Sequence, residues 1–136
     1  MERSLQTRRR VLGQLLGHAR RQATRECCGL LAGRDGVITR AFPAANVAAN
    51  PVKNYEIAPR EIVRLMHEFR ERELGFLGIY HSHPNTENVP SRRDIELAYY
   101  SEAIYFIVSP HPYMEKPIRA FSIRDGEAAE LEIEVV

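Results

Sequence analysis

Residues 76–94 read Phe76-Leu77-Gly78-Ile79-Tyr80-His81-Ser82-His83-Pro84-Asn85-Thr86-Glu87-Asn88-Val89-Pro90-Ser91-Arg92-Arg93-Asp94. The first five are nearly all apolar, which predicts a strand buried on both faces. Side chains alternate across a strand, so His81 and His83 at its C-terminal end point one way and Ser82 the other. Pro84 has no N–H to give to a ladder and ends the pairing. Seven residues separate His83 from Ser91, and Ser91 with Asp94 three positions later has the form of a helix N-cap. The helix dipole favours a carboxylate in that first turn. Two neutral imidazoles and one carboxylate are three protein ligands, the number a catalytic zinc site uses while keeping a fourth position for water. Each part also has an ordinary reading: a histidine packed in the core or on the surface, and Ser91-x-x-Asp94 as a cap and nothing more. The two readings of that pair are compatible, because Ser91 can cap while Asp94 binds.

Elements are placed outward from this segment by periodicity. Leu5, Leu12, Leu15, Leu16, Ala19 and Ala23 recur at helical spacing and predict an amphipathic helix over 5–23. Cys27 to Ala32 is a short apolar run ending at Gly33, hence a buried strand. Arg34-Asp35-Gly36 is a turn signal, and Val37–Phe42 its partner strand. Residues 43–54 read as a loop, followed by a short strand over Tyr55–Ile57. Pro59 suits the first turn of a second helix, with Ile62, Leu65, Met66 and Phe69 as its apolar stripe and Gly75 as its stop. A third helix runs from the Ser91 cap to about Ser101. Ile104–Val108 is a further buried strand, and two half-exposed strands close the chain at Ile118–Arg124 and Ala128–Val135. The expected fold class is therefore α/β (α+β): residues 1–136 as one domain, with a mixed, mostly antiparallel sheet flanked by helices.

Composition bounds the function. The chain has 136 residues, 44% hydrophobic and 27% charged, an ordinary globular mixture, with a formal net charge of +1. That balance gives no global attraction to nucleic acid. The charge is segregated, however: residues 1–25 hold seven arginines against Glu2, and residues 125–136 hold five acids and no base. Cys27 and Cys28 are neighbours and poorly placed to bridge each other, which argues against a secreted disulfide framework. Thr7-Arg8-Arg9-Arg10 superficially resembles an export signal, but the apolar run after it is short and interrupted by Gln14. No stretch approaches the ~18 apolar residues of a membrane span. A cytoplasmic protein is expected.

Other metal motifs compete with the first. A metallo-β-lactamase-like pattern needs Asp and His where Asn85 and Thr86 stand. A cupin-like reading matches Gly75-x5-His81-x-His83-x3-Glu87 but not at Asp94, where glycine is expected, and no second motif follows; it stays as the minor enzyme alternative.

The set His81-Ser82-His83-Pro84-x6-Ser91-x2-Asp94, with Glu26-Cys27-Cys28-Gly29-Leu30-Leu31-Ala32-Gly33 upstream, resembles the JAMM (MPN+) metalloprotease family over nearly the whole chain. Asn54-Tyr55-Glu56-Ile57-Ala58-Pro59 looks more like its small bacterial members, which resemble the peptidase that frees cysteine from a sulfur carrier protein. The resemblance implies a cytidine-deaminase-like JAMM/MPN fold and one Zn2+ per chain held by His81, His83 and Asp94, with water as fourth ligand. It implies Glu26 as general acid/base and Ser91 as the residue that steadies the water or the oxyanion. It also implies hydrolysis of a peptide or isopeptide bond after the C-terminal Gly-Gly of a ubiquitin-like or sulfur carrier protein, with cysteine as one amine that could be released. Nucleic acid and membranes are not expected as partners, and homo-oligomerisation is left open. Spacing alone does not nominate Glu26, whose ordinary reading is a solvated charge before a buried strand. The alternative within the family is a non-catalytic MPN-type scaffold, which the full set of motif residues opposes.

The remaining candidates read as packing. Cys27 and Cys28 look like small core residues, of which a strand lets at most one face any site. His111 falls in an exposed turn, and His18 and His67 have no partner pattern. The Asn50–Ile57 region, extended and polar, is expected to help hold a narrow Gly-Gly tail, which could add as a strand at a sheet edge.

Overall fold

The computed structural model describes residues 5–136; Glu2 and Arg3 of the basic end lie outside the described residues. In chain order the elements are β1 (Leu5–Thr7), α1 (Arg9–Arg21), β2 (Cys28–Arg34), β3 (Val37–Ala44), α2 (Pro59–Glu71), β4 (Gly75–Ser82), α3 (Arg92–Glu96), β5 (Ile104–Val108), β6 (Ile118–Arg124), β7 (Glu127–Leu131) and β8 (Ile133–Val135). The strands form one sheet in the order β7-β6-β5-β4-β2-β3-β1-β8. Pairings β2–β3, β2–β4, β5–β6 and β6–β7 are antiparallel, while β1–β3, β1–β8 and β4–β5 are parallel. The expected mixed, mostly antiparallel sheet is present.

Alternation along the central strands builds two cores. Leu30, Ile79, Tyr105 and Ile107 face α2, where Leu65 and Phe69 are buried against them. Leu31, Tyr80, Phe106 and Val108 face α1, where Val11, Leu15 and Ala19 are fully covered. Each of those large side chains contributes about 1.5–3 kcal/mol by leaving water. Both faces are covered, which is why β2, β4 and β5 read as unbroken apolar runs rather than alternating ones.

Glu132 alone separates β7 from β8, although these strands occupy opposite ends of the strand order. The sheet therefore rolls until its two edges meet. Apolar residues from β2 through β8, the last being Leu131 and Ile133, accordingly pack in one cluster with α1. Helix α1 lies in the concave side and α2 on the convex side.

Local chemistry explains the turns. Asp35 and Gly36 both have positive φ, 54° and 76°, and link Arg34 to Val37 as a two-residue hairpin turn of the kind Asp-Gly favours. Gly29 is required by packing: a Cβ there would meet the Tyr80 ring and the Phe42 carbonyl at 2.5 Å. Tyr80 thus crosses β2 and its hydroxyl reaches His18 Nδ1 at 2.8 Å, inside the α1 core.

Several expectations are corrected. The helix expected over 5–23 begins at Arg9, because Leu5–Thr7 pairs as a strand with both β3 and β8. Tyr55–Ile57 is not a strand; the Asn46 side chain engages the backbone on either side of Tyr55. Helix α2 stops at Glu71, and Glu73, with φ 56°, takes the left-handed position while Gly75 starts β4. Helix α3 ends at Glu96 instead of near Ser101, and the aromatic residues beyond it leave the helix. The closing strand over 128–135 is two strands with different neighbours. Among the described residues no helix is long and apolar enough to cross a membrane.

Candidate metal centre

The C-terminal end of β4 and the start of β2 lie side by side, with Cys28 opposite His81. Ser82 turns to the other face, as alternation requires, and ties the two ends together. Its hydroxyl accepts from the Cys27 N–H at 2.9 Å, and its own N–H donates to the Cys27 carbonyl at 3.1 Å. This pairing draws Glu26, the residue before Cys27, to the mouth of the site. The His83 N–H donates to Val108 at 2.9 Å, so the second histidine is held against β5.

Asp94 arrives on the first turn of α3. The Ser91 hydroxyl accepts from the Asp94 N–H at 3.0 Å, and Asp94 Oδ2 accepts from the Ser91 N–H at 2.9 Å, a complete capping box. The cap aims the same Oδ2 at both histidines, so capping does not draw Asp94 away from them. His81 Nε2 lies 3.1 Å and His83 Nε2 3.0 Å from Asp94 Oδ2, and the two Nε2 atoms are 3.1 Å apart. Ligand atoms around a tetrahedral ion with bonds of 2.0–2.1 Å stand about 3.3 Å apart. The donor set and its spacing fit a zinc-sized cation. Glu26 adjoins it: donor atoms of Glu26, His81 and His83 all lie within 4.8 Å of one another.

Hydrogen bonding settles the tautomer of one ring. His83 Nδ1 is 2.8 Å from the Glu87 carbonyl, which can only accept, so Nδ1 carries a proton and Nε2 is the basic atom turned inward. Burial lowers the His83 pKa, but the Asp94 hydrogen bond and the Glu87 carbonyl outweigh it and the net shift is upward. At His81 burial dominates and the pKa falls, against the pull of Asp94. The Tyr55 ring stacks on His81 with centroids 4.3 Å apart and planes 20° from parallel. Burial also raises the Asp94 carboxyl, yet His81, His83 and the Ser91 N–H together hold it well below the usual range.

Glu26 has the opposite character. It is 5% exposed, and its Oε1 has no hydrogen-bond partner among the described residues. Burial, reinforced by Asp94 and opposed by His83, pushes its pKa up to about 8. A carboxyl with a raised pKa thus stands beside one held ionised.

Glu87, the cupin-like candidate, contributes only its carbonyl; its carboxylate turns out toward Arg119 at 3.5 Å. Cys28 shares the face of His81, while Cys27 packs in the α1 core. His111 is not a free exposed turn residue: its Nε2 donates to the Pro84 carbonyl at 2.8 Å and braces the loop after His83. Asn46 is a site-framing residue that sequence reasoning missed; Tyr55 lies in the Asn50–Ile57 region expected to hold the carrier tail, but its stacking on His81 was not expected. The only available signal for Asn46 was that it falls in the loop between β3 and α2.

A cavity of about 570 Å³ opens beside Asp94, between α2 and the segment after α3. Ile62, Met66, Phe76 and Ile79 form part of its apolar lining, and Asn54–Ile57 form one wall. Val63, Leu97, Tyr99 and Tyr100, all exposed large apolar side chains, also line it.

A rolled mixed sheet that brings two histidines, an aspartate and a buried glutamate to one point defines a JAMM/MPN-type domain. The chain belongs to the prokaryotic homologues of the JAB domain, whose family model matches residues 8–124. It is similar to a desampylase of Haloferax volcanii, 39% identical over 102 residues, 71% of this chain and 73% of that protein. It is also similar to the CysO-cysteine peptidase of Mycobacterium tuberculosis, 32% identical over 128 residues, 93% of this chain and 87% of that one. The solution structure of a Desulfitobacterium hafniense protein matches with a TM-score of 0.84 at 32% identity, over 96% of this chain and 92% of that one.

Proposed function

We propose that residues 1–136 form one catalytic domain, a zinc-dependent metallopeptidase. Its reaction is hydrolysis of the peptide or isopeptide bond after the C-terminal Gly-Gly of a ubiquitin-like or sulfur carrier protein, with cysteine among the amines released. The observation that carries this reading is the meeting of His81 Nε2, His83 Nε2 and Asp94 Oδ2 within 3.0–3.1 Å, with the Glu26 carboxyl buried beside them. The names of the two relatives, desampylase and CysO-cysteine peptidase, support it.

In this reading His81, His83 and Asp94 hold the zinc, and Glu26 does not. Bound zinc lowers the pKa of water to near 7 and polarises the scissile carbonyl. Glu26 takes the proton of the attacking water and passes it to the leaving amine, a task suited to a carboxyl buried beside the histidine pair whose Oε1 has no other partner among the described residues. The Ser91 hydroxyl accepts from the Asp94 N–H and keeps its own proton, with which it donates to the developing oxyanion. The carrier tail lies in the apolar cavity beside Asp94, against the Asn54–Ile57 wall. Two free, buried cysteines suit a reducing, cytoplasmic setting.

The test is to incubate the zinc-loaded protein with carriers ending in Gly-Gly plus a cysteine or a short peptide, and to read the carrier mass. Loss of the extension is expected. Stoichiometric zinc without cleavage of any such carrier would count against the substrate assignment, and absence of bound zinc would count against the enzyme itself.

A further inference from the structure

Both backbone groups of Glu26 are held from outside the sheet. Its N–H donates to the Pro51 carbonyl at 2.8 Å, and its carbonyl accepts from Asn46 Nδ2, also at 2.8 Å. The rest of the Asn46 amide is committed to the same loop. Nδ2 donates to the Asn54 carbonyl at 2.9 Å, with the Pro51 carbonyl farther off at 3.4 Å. Oδ1 accepts from the Ala48 N–H at 3.0 Å and the Glu56 N–H at 3.1 Å. An amide offers two donor hydrogens and two acceptor lone pairs, and the four short contacts use them all. Two of the partners, Asn54 and Glu56, flank Tyr55, whose ring lies on His81.

One side chain thus joins the residue that carries the buried carboxyl to the residue that walls the first histidine. No other common side chain reproduces this. Aspartate keeps the acceptors and loses both donors, glutamine is one methylene too long, and alanine has neither group. We propose that Asn46 is a positioning residue for the hydrolytic reaction, setting Glu26 at its working distance from the histidine pair. This role rests on the peptidase reading given above. A displacement of a reacting group by about 1 Å costs on the order of 100-fold in rate, so the effect falls on turnover. Asn46 is not among the donor atoms that converge on the cation, so zinc content is left intact.

The experiment compares Asn46→Asp and Asn46→Ala with the wild type for zinc content, melting temperature, kcat and KM on a cleavable Gly-Gly carrier, and determines crystal structures of all three. The expected result is one zinc per chain, kcat lowered ten- to a hundredfold, KM within threefold, and a Glu26 carboxylate moved by about 1 Å. A folded, zinc-loaded variant with kcat within twofold of wild type overturns the proposal. So does a Glu26 carboxylate that superposes on the wild-type position. Failure of both variants to fold makes Asn46 a requirement of the fold and overturns the positioning role as well. Wild-type protein that cleaves nothing would sink the peptidase reading separately, and the crystal comparison would still decide whether Asn46 places Glu26.

Discussion

His83 donates from Nδ1 to the carbonyl of Glu87 at 2.8 Å, which leaves Nε2 as the nitrogen facing Asp94. Without metal, that Nε2 can bond to the Asp94 carboxylate only by carrying a proton of its own. The raised His83 pKa expresses this.

If His83 is a zinc ligand as proposed, zinc and protons compete for one atom. Metal affinity, measured by titration against a chelator of known affinity, is expected to fall as pH drops below the His83 pKa, by about tenfold per unit once the ring is protonated. Affinity flat between pH 5 and 8 would remove His83 from the ligand set.

Glu26→Gln keeps the shape of the side chain and removes its titration. We expect zinc content to be unchanged and kcat to fall by about 100- to 10,000-fold, the usual worth of a general acid/base. Persistent activity would exclude Glu26 from the proton transfer. The same variant carries a stability signature in metal-free protein. A carboxyl at about 8 when folded, against 4.5 unfolded, holds its proton over a window in which the unfolded chain has lost it. Stability of the wild type should thus decline as pH rises from about 4.5 to 8, by on the order of 4 kcal/mol from this group. Urea denaturation of Glu26→Gln across that range should lack this decline, and parallel curves for the two proteins would refute it.

Tyr80→Phe leaves His18 Nδ1 without its partner inside the α1 core. A buried group stripped of its hydrogen bond costs about 1–3 kcal/mol. Equilibrium denaturation should show that loss without a change in zinc content; a difference below about 0.5 kcal/mol would mean that His18 finds another partner.

Tyr99 is 75% exposed and lines the cavity beside Asp94, so Tyr99→Ala should not disturb folding. If the carrier docks there, KM should rise several-fold, up to about tenfold for 1.4 kcal/mol of lost contact, with kcat little changed. An unaltered KM would move the docking surface elsewhere.

Much of this molecule is legible in its residues. The all-apolar runs of β2, β4 and β5, the Asp35-Gly36 turn, the Pro59 helix start and the His-x-His alternation follow from local chemistry. What was hidden depends on long-range partners. Leu5–Thr7 carries a helical pattern into α1, yet pairing with β3 and β8 makes it a strand. Leu97, Tyr99 and Tyr100 look like a continuing helix stripe, but they line a cavity instead. Glu26 needed the family resemblance to be noticed, because nothing local marks a glutamate that is buried by a loop some 20 residues downstream. Asn46 was hidden for the same reason, since its five hydrogen-bond contacts reach both backward to Glu26 and forward to Glu56.

The join at Glu132 has a consequence for solubility. One continuous run, β7 into β8, supplies both outer strands of the rolled sheet. Outer strands offer unpaired backbone groups to any other extended chain, which is the usual route to edge-to-edge aggregation. Here the run carries Glu127, Glu132 and Glu134 on its exposed surface. A second copy approaching in the same way meets like charges along its whole length. The acidic end of the chain therefore guards the two outer strands through which the sheet could extend into a fibre, and screening or protonating those carboxylates is a condition under which the protein should self-associate.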